Sequence, residues 1–427
     1  MTGDTIYAPA TAPGRAGVVV VRISGPAALD TLQSFGATAP PPRQMGLRIL
    51  RTADGGILDK ALVVYFPAGQ SFTGEPVVEL HMHGSPAVLQ ASMDALESGG
   101  HARLAAPGEF TRRALLNDRL DLTEVQGLAD LIAAETEEQR RAAIDVFDGR
   151  MSEKVAAWRR DLTTARALIE VTIDFADEEV PTDVGPEVEA CLTRVADGIR
   201  SELDGYDAAR QLRDGYEVAI LGPPNAGKSS LINYLSKRDI AIVSDVPGTT
   251  RDVVEARIIL AGVPVTFLDT AGLRDSDDVV ERIGMDRARM RAAAADLRIF
   301  LDAGEGTATF DELFRPGDLR QRTKADVKPD GDLSVVSGQG IPELLQAIED
   351  RVGDAVAGAG LVTRRRDKAA LVSSLQEVEG VITSDDISDE LRAERLRLAS
   401  EHLARIVGGL DVEDLLDEIF ASFCLGK

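Results

Sequence analysis

Gly222-Pro-Pro-Asn-Ala-Gly-Lys-Ser-Ser230 constrains the fold of this chain more than any other stretch. It fits G-x-x-x-x-G-K-[ST] without a mismatch. The apolar run Val218–Leu221 precedes it and the helix-like Ser229–Leu235 follows. Strand, glycine-rich turn and helix in that order aim backbone N–H groups at phosphate oxygens beside a helix N-terminus. Lys228 is placed to reach the β- and γ-phosphates of a nucleotide and Ser229 to face Mg²⁺. Asn225, Ala226, Gly227 and Ser230 complete the candidate phosphate loop. A glycine-rich turn that binds nothing lacks these flanks.

Further motifs follow in order. Gly248-Thr-Thr-Arg-Asp252 comes at a distance suited to a switch loop, where the hydroxyl of Thr250 can complete a Mg²⁺ shell. Asp269-Thr270-Ala271-Gly272 closes the apolar strand Val263–Leu268. There the aspartate can hold Mg²⁺ through water and the glycine can bond a γ-phosphate. Thr323-Lys324-Ala-Asp326 resembles the guanine-reading N-K-x-D motif. The Asp326 carboxylate can accept from N1–H and the 2-amino group of guanine, a donor pair adenine lacks, so GTP is favoured over ATP. Leu333-Ser334-Val335 takes the place of the last guanine-side loop. Each motif is weak alone; the ordered set specifies a GTP hydrolase.

Composition limits the setting. The formal net charge is −24, so the chain alone is a poor binder of nucleic acid, whose affinity rests largely on Lys and Arg neutralising phosphates. RNA would have to be held by a basic partner or a local basic patch; the acidity is equally accounted for by solubility. The 2 cysteines, Cys191 and Cys424, are too few and too far apart for a disulfide framework or a Cys-rich zinc site. No signal-peptide pattern opens the chain, and no apolar run nears the roughly 20 residues a spanning helix needs. A cytoplasmic protein without a membrane anchor is expected.

Four stretches are expected within the 427 residues. Residues 1–120 alternate β-like runs (Gly17–Ile23, Ala61–Phe66, Val77–His81) with Gly/Pro turns and one helix-like segment, Ala87–Glu97. They read as a compact α+β domain. Residues 121–213 turn helical, with Leu122, Val125, Leu128, Leu131 and Ile132 on one face. Pro181, Gly185 and Pro186 mark a break between helices. Residues 214–360 alternate strands and helices, as a doubly wound α/β domain does. Residues 361–427 are helical again, with Leu371, Leu375, Val378 and Ile382 in period, then Val412, Leu415, Leu416, Ile419 and Phe420. This order suggests a multidomain protein: one discontinuous helical domain with a Ras-like P-loop GTPase domain inserted. Two separate bundles remain the alternative.

Segments outside the GTPase set carry a family resemblance. They are Asp4-Thr-Ile6, Pro13-Gly-Arg15, Val21-Arg-Ile-Ser-Gly25, Ser71-Phe-Thr-Gly-Glu75, Val77-Val-Glu-Leu80 with His83-Gly84, Pro107-Gly-Glu-Phe110, Leu116–Leu122 and the ending Phe420-Ala-Ser-Phe-Cys-Leu-Gly-Lys427. With them the chain resembles, over nearly its whole length, the MnmE (TrmE) family of tRNA modification GTPases. The resemblance implies an N-terminal domain that binds a 5,10-methylene- or 5-formyl-tetrahydrofolate carrier and forms a homodimer. It also implies a heterotetramer with a flavin-containing partner, MnmG (GidA), and an aminomethyl or carboxymethylaminomethyl group placed on C5 of the wobble uridine of tRNA. GTP hydrolysis would drive G-domain movement.

The same resemblance assigns residues. Asn225, Ser244, Val246 and Thr249 match a K⁺ site beside the phosphates, and a bound K⁺ can supply the charge an arginine finger supplies elsewhere. Glu281 in Val280-Glu-Arg-Ile-Gly284 matches the glutamate orienting the attacking water; from sequence alone it equally fits a solvated helix face. Arg22, Glu79, Arg119 and Lys427 match folate contacts, with arginine at 119 where the family usually has lysine. A carboxylate at 79 suits adjacent pterin N–H donors, although Arg22 and Glu79 also fit edge-strand charges. Cys424 is either a nucleophile toward the one-carbon unit or a small buried residue beside Phe420 and Phe423. Gly426 and Lys427 do not fit a prenylation box.

Two departures stand out. Thr323 replaces the family's asparagine, and Asp318–Arg322 lacks the apolar run of a buried parallel strand. With a shortened Gly304–Arg322 segment, a remodelled domain edge and weaker nucleotide binding are expected. The alternatives are a ribosome-assembly-type GTPase, a nucleotide-binding scaffold with a degenerate G domain, or a folate-dependent transferase regulated by GTP.

Overall fold

The computed structural model describes residues 3–174, 184–237, 255–269, 289–304, 311–328, 330–384, 387–409, 420 and 426. They fall into two compact units. One holds the described residues of Met1–Ala129, Ser152–Ala156 and Glu401–Lys427; the other holds those of Asp130–Met151 and Ala157–Ser400.

The first unit is organised by six strands: β1 (Ile6–Pro9), β2 (Val18–Ser24), β3 (Met45–Arg51), β4 (Ile57–Phe66), β5 (Val77–His83) and β6 (Arg103–Leu104). The order is β3-β4-β5-β2-β1-β6. All pairs are antiparallel except β1 with β6. Period-two alternation sends Val19, Val21 and Ile23 of β2, with Val78, Leu80 and Met82 of β5, to one face. There they meet Leu32 and Leu96 from the helices Ala28–Ser34 and Pro86–Gly99. Each fully buried Val or Leu contributes about 1.5–3 kcal/mol.

The longer helix begins where the Ser85 hydroxyl accepts from the Ala87 N–H at 3.3 Å, and it stops at Gly100, whose φ is 68°. Three helices occupy the stretch where the sequence suggested one. The other two, Ala28–Ser34 and Glu109–Leu116, have 7 and 8 residues, too few for a visible period.

In the second unit the strands are β7 (Tyr216–Leu221), β8 (Glu255–Leu260), β9 (Val263–Asp269), β10 (Leu297–Asp302) and β11 (Leu319–Arg322). Their order is β11-β10-β7-β9-β8, parallel except for β8. Central β7 is buried from Val218 to Leu221, as a strand covered on both faces must be. The polar Asp318–Arg322 segment does form a strand, but at the sheet edge. Asp318 there pairs with Arg298 at 2.8 Å, both almost fully buried. Arg320 lies over the rings of Phe314 and Phe300, 4.6 and 5.6 Å from their centroids. One buried ion pair and one cation–π stack thus secure a strand whose sequence has little apolar content.

Helices precede this sheet (Leu122–Ala133, Glu137–Phe147, Arg150–Asp174, Gly185–Asp204, Tyr206–Asp214) and follow it (Arg365–Ile382, Asp389–Ile406). Of the expected apolar stripe, Leu122 and Val125 are buried, whereas Ile132 is exposed. Gly185 and Pro186 start a helix, because proline suits the first turn; Pro181 lies outside the described residues. The helix Arg365–Ile382 packs on Gly185–Asp204, with Arg200 bonding Glu379 at 2.7 Å. Within the second unit, helices from before and after the inserted α/β region therefore pack on each other. The chain entering and leaving that region crosses at glycines. The Gly360 N–H donates to the Gly205 carbonyl at 3.1 Å, and a Cβ on Gly205 would lie 2.6 Å from the Gly360 nitrogen. Among the described residues no helix is long and apolar enough to cross a membrane.

Candidate functional site

The phosphate loop turns from β7 into the helix Lys228–Leu235. Its shape needs left-handed backbone at Asn225 (φ 62°) and Gly227 (φ 94°). Gly222 approaches β10 so closely that a Cβ would sit 2.4 Å from the Leu301 carbonyl oxygen. Lys228 is buried, and its Nζ donates to the Gly222 and Pro223 carbonyls at 2.8 and 3.0 Å. The ammonium group therefore folds over the loop that would carry the phosphates. Ser229 Oγ donates to Asp269 Oδ2 at 2.7 Å, joining the helix start to the end of β9 across 40 positions of sequence. A hydroxyl and a carboxylate converging there form an oxygen donor set suited to Mg²⁺. Ala226 is buried, whereas Ser230 and Asn225 are exposed.

The guanine-side loop hangs from the next carbonyl of β10. The Asp302 carbonyl accepts from the Thr323 N–H at 2.7 Å and from its hydroxyl at 3.3 Å. Thr323 thus ties its loop to the sheet through its backbone N–H and hydroxyl, without a side-chain amide. Lys324 takes a φ of 64°. Ser334, buried, donates Oγ to Asp326 Oδ1 at 2.6 Å, fixing an exposed carboxylate. Val335 packs half-buried on the core. Parallel strands deliver both loops to their C-terminal ends, where open α/β sheets bind ligands.

The first unit builds a second candidate site on a sheet face. Arg22 and Glu79 are directly paired residues of β2 and β5, and Arg22 Nε donates to Glu79 Oε1 at 2.9 Å. His81 Nε2 meets the other carboxylate oxygen at 3.2 Å. The guanidinium lies over both the Phe72 and the Phe110 ring, 5.6 and 5.7 Å from their centroids. An ion-pair network joins the segments that carry those rings, Ser71–Glu75 and the helix Glu109–Leu116. Arg113 bonds Glu75 at 3.0 Å, Asp4 at 2.9 Å and Glu109 at 3.0 Å, while Ser24 donates to Glu75 at 2.8 Å. Burial alone would raise the Glu109 carboxyl, but Arg103, the Ala106 N–H and Arg113 hold it below its ordinary value. Arg119 is exposed beside Gly74 and makes no ion pair with Glu79. Gly426 lies against β1, where a Cβ would meet the Pro9 carbonyl oxygen at 1.9 Å. Ala8 of the same strand pairs with Arg22.

Residues 122–424 match the family described as the MnmE helical domain, and residues 5–119 match the GTP-binding protein TrmE N-terminus. The chain belongs to the MnmE family. Proteins named tRNA modification GTPase MnmE from Roseobacter denitrificans, Cereibacter sphaeroides and Dinoroseobacter shibae are 49%, 50% and 48% identical to it. Each comparison covers 99% of this chain and 100% of the relative.

Several MnmE-type assignments fall outside the described residues: Ser244, Val246, Thr249, Thr250, Thr270, Ala271, Gly272, Glu281, Cys424 and Lys427. Of the rest, the structure joins Ser229 to Asp269, Asp326 to Ser334 and Arg22 to Glu79. Sequence reasoning missed His81, Phe72, Phe110 and Asp302 as site residues. The β-like run Val77–His81 already contains His81, and its period-two alternation puts that side chain on the face of Glu79. Phe72 and Phe110 sat inside segments noted only as signatures.

Proposed function

We propose that this chain is a K⁺-stimulated GTPase that modifies C5 of the tRNA wobble uridine together with a flavin-containing partner of the MnmG type. It draws the one-carbon unit from methylene-tetrahydrofolate and adds an aminomethyl or carboxymethylaminomethyl group. The observation carrying the GTPase half is the Ser229–Asp269 contact beside a complete phosphate loop. Lys228 exchanges its loop carbonyls for β- and γ-phosphate oxygens, and Asp326 reads the guanine edge while Ser334 holds it. Mg²⁺, held by Ser229 and Thr250 with Asp269 behind, supplies positive charge beside the phosphates. The side-chain oxygen of Asn225 is a suitable ligand for K⁺, with Ser244, Val246 and Thr249 completing that site. Glu281 orients the attacking water.

For the folate half, Glu79 supplies an acceptor for the pterin's N–H donors, Arg22 and Lys427 supply donors for the carrier's carboxylates or pterin oxygens, Arg119 is a further contact, and Cys424 acts on the one-carbon unit. Homodimerisation is supported by the free edge strand β3, which exposes Met45, Leu47 and Ile49 in alternation beside Leu62 of β4. Net charge of −24 supports a partner that carries most of the tRNA phosphate contact. The domain limits proposed are 1–120, 121–213 with 361–427, and 214–360, in a cytoplasmic protein.

Reconstitution with the flavoprotein, tRNA, GTP and methylene-tetrahydrofolate tests the whole. Glu281→Ala and Glu79→Ala are each expected to abolish modification, the first with GTP turnover lost and the second with it retained. Modification that survives Glu281→Ala would break the GTP-driven reading.

A further inference from the structure

Glu79, His81 and His83 alternate along β5 and share one face, while Leu80 and Met82 go to the covered core. The Glu79 carboxylate is held on two sides. Arg22 donates Nε to Oε1 from the neighbouring strand at 2.9 Å. His81, two residues along the same strand, reaches Oε2 at 3.2 Å. An ionised carboxylate only accepts, so Nε2 of His81 carries the hydrogen. Each carboxylate oxygen has two lone pairs, and these contacts use one on each. A carboxylate tied at one oxygen still turns about its last bond; tied at both, it keeps its plane. Arg22 itself lies against the rings of Phe72 and Phe110, which restrain it beside the carboxylate.

We propose that His81 is a positioning residue: with Arg22 it fixes the Glu79 carboxylate as a preformed two-point acceptor for a flat ligand with two adjacent N–H donors. The inference rests on the folate reading above and assigns specificity within that site to a side chain the reading does not use. A preformed acceptor favours only ligands that carry both donors, because nothing is spent on aligning it. Loss of His81 should therefore cost discrimination rather than affinity in general.

The test is calorimetric binding of 5-formyl-tetrahydrofolate and its 2-desamino counterpart to the full chain, as wild type, His81→Phe and His81→Gln. Wild type is expected to prefer the 2-amino compound by at least about tenfold, the scale of one charge-assisted hydrogen bond. His81→Phe should bring that preference close to unity at an unchanged melting temperature. His81→Gln, whose amide N–H can reach the same oxygen, should restore most of it. An undiminished preference in His81→Phe, or an equal loss for both compounds, overturns the role of His81 and leaves the folate reading standing. A wild type that binds neither compound overturns both.

Discussion

The two sheets of this molecule build their sites in opposite ways. The parallel sheet delivers loops to its strand ends, and each loop is a short contiguous motif. The antiparallel sheet places Arg22 of β2 and Glu79 and His81 of β5 on one face, with Phe72 and Phe110 brought in from a loop and a helix. A site made of loops does not depend on the apolar content of an edge strand such as β11. A site made of a sheet face depends on register, since a one-residue slip would send Glu79 into the core.

The largest test of that difference concerns the altered edge. Arg298→Ala leaves the buried carboxylate of Asp318 without its cation, although the backbone N–H groups of residues 298 and 315 still donate to it, and should destabilise the second unit by about 3 kcal/mol in denaturant titrations. An effect below about 1 kcal/mol would mean that the ion pair does not secure β11. Next is Lys228→Ala, expected to lower GTP turnover by about 10²–10³-fold, as loss of one preorganised charge-stabilising donor does elsewhere. Folate binding to the other sheet should not change; coupled losses would show that the two sites are not chemically separate. Glu79→Gln should weaken 5-formyl-tetrahydrofolate by about 10–100-fold, the worth of hydrogen bonds to a charged group, with GTP turnover intact.

The smallest effect is a pH dependence confined to the first unit. Burial opposes ionisation of Asp4 and Glu109, yet hydrogen bonds and charge from Arg103 and Arg113 win, so both folded pKa values are depressed. Their stabilisation is therefore present above the unfolded values of about 4 and fades as pH falls through the lower folded values. Thermal melts from pH 6 to pH 3 should show Arg103→Gln losing this dependence in part. An identical pH profile in the variant would remove these carboxylates from the stability of that unit.

The same contrast explains what the sequence revealed. The phosphate loop, the Asp269 turn and Asp326 were legible because the chemistry needs neighbours in the chain, and β7 and β9 because buried parallel strands are continuously apolar. His81 was not, because its partner lies along a strand whose alternation also accounts for an ordinary half-buried histidine. Asp302 was invisible for a different reason: its contact with Thr323 runs through its backbone carbonyl, and a carbonyl leaves no mark on residue choice. The strand at Leu319–Arg322 was obscured because a cation–π stack and a buried ion pair replace the usual apolar pattern.

The most direct measurement is GTP hydrolysis by the purified chain in KCl and in NaCl at equal ionic strength, with Asn225→Ala alongside. Stimulation by K⁺ of about tenfold or more, lost in the variant, is the expected result, with Thr323 doing by its backbone and hydroxyl what the loop requires. Absence of hydrolysis in either salt would contradict it and make the chain a folate-binding protein with a degenerate G domain.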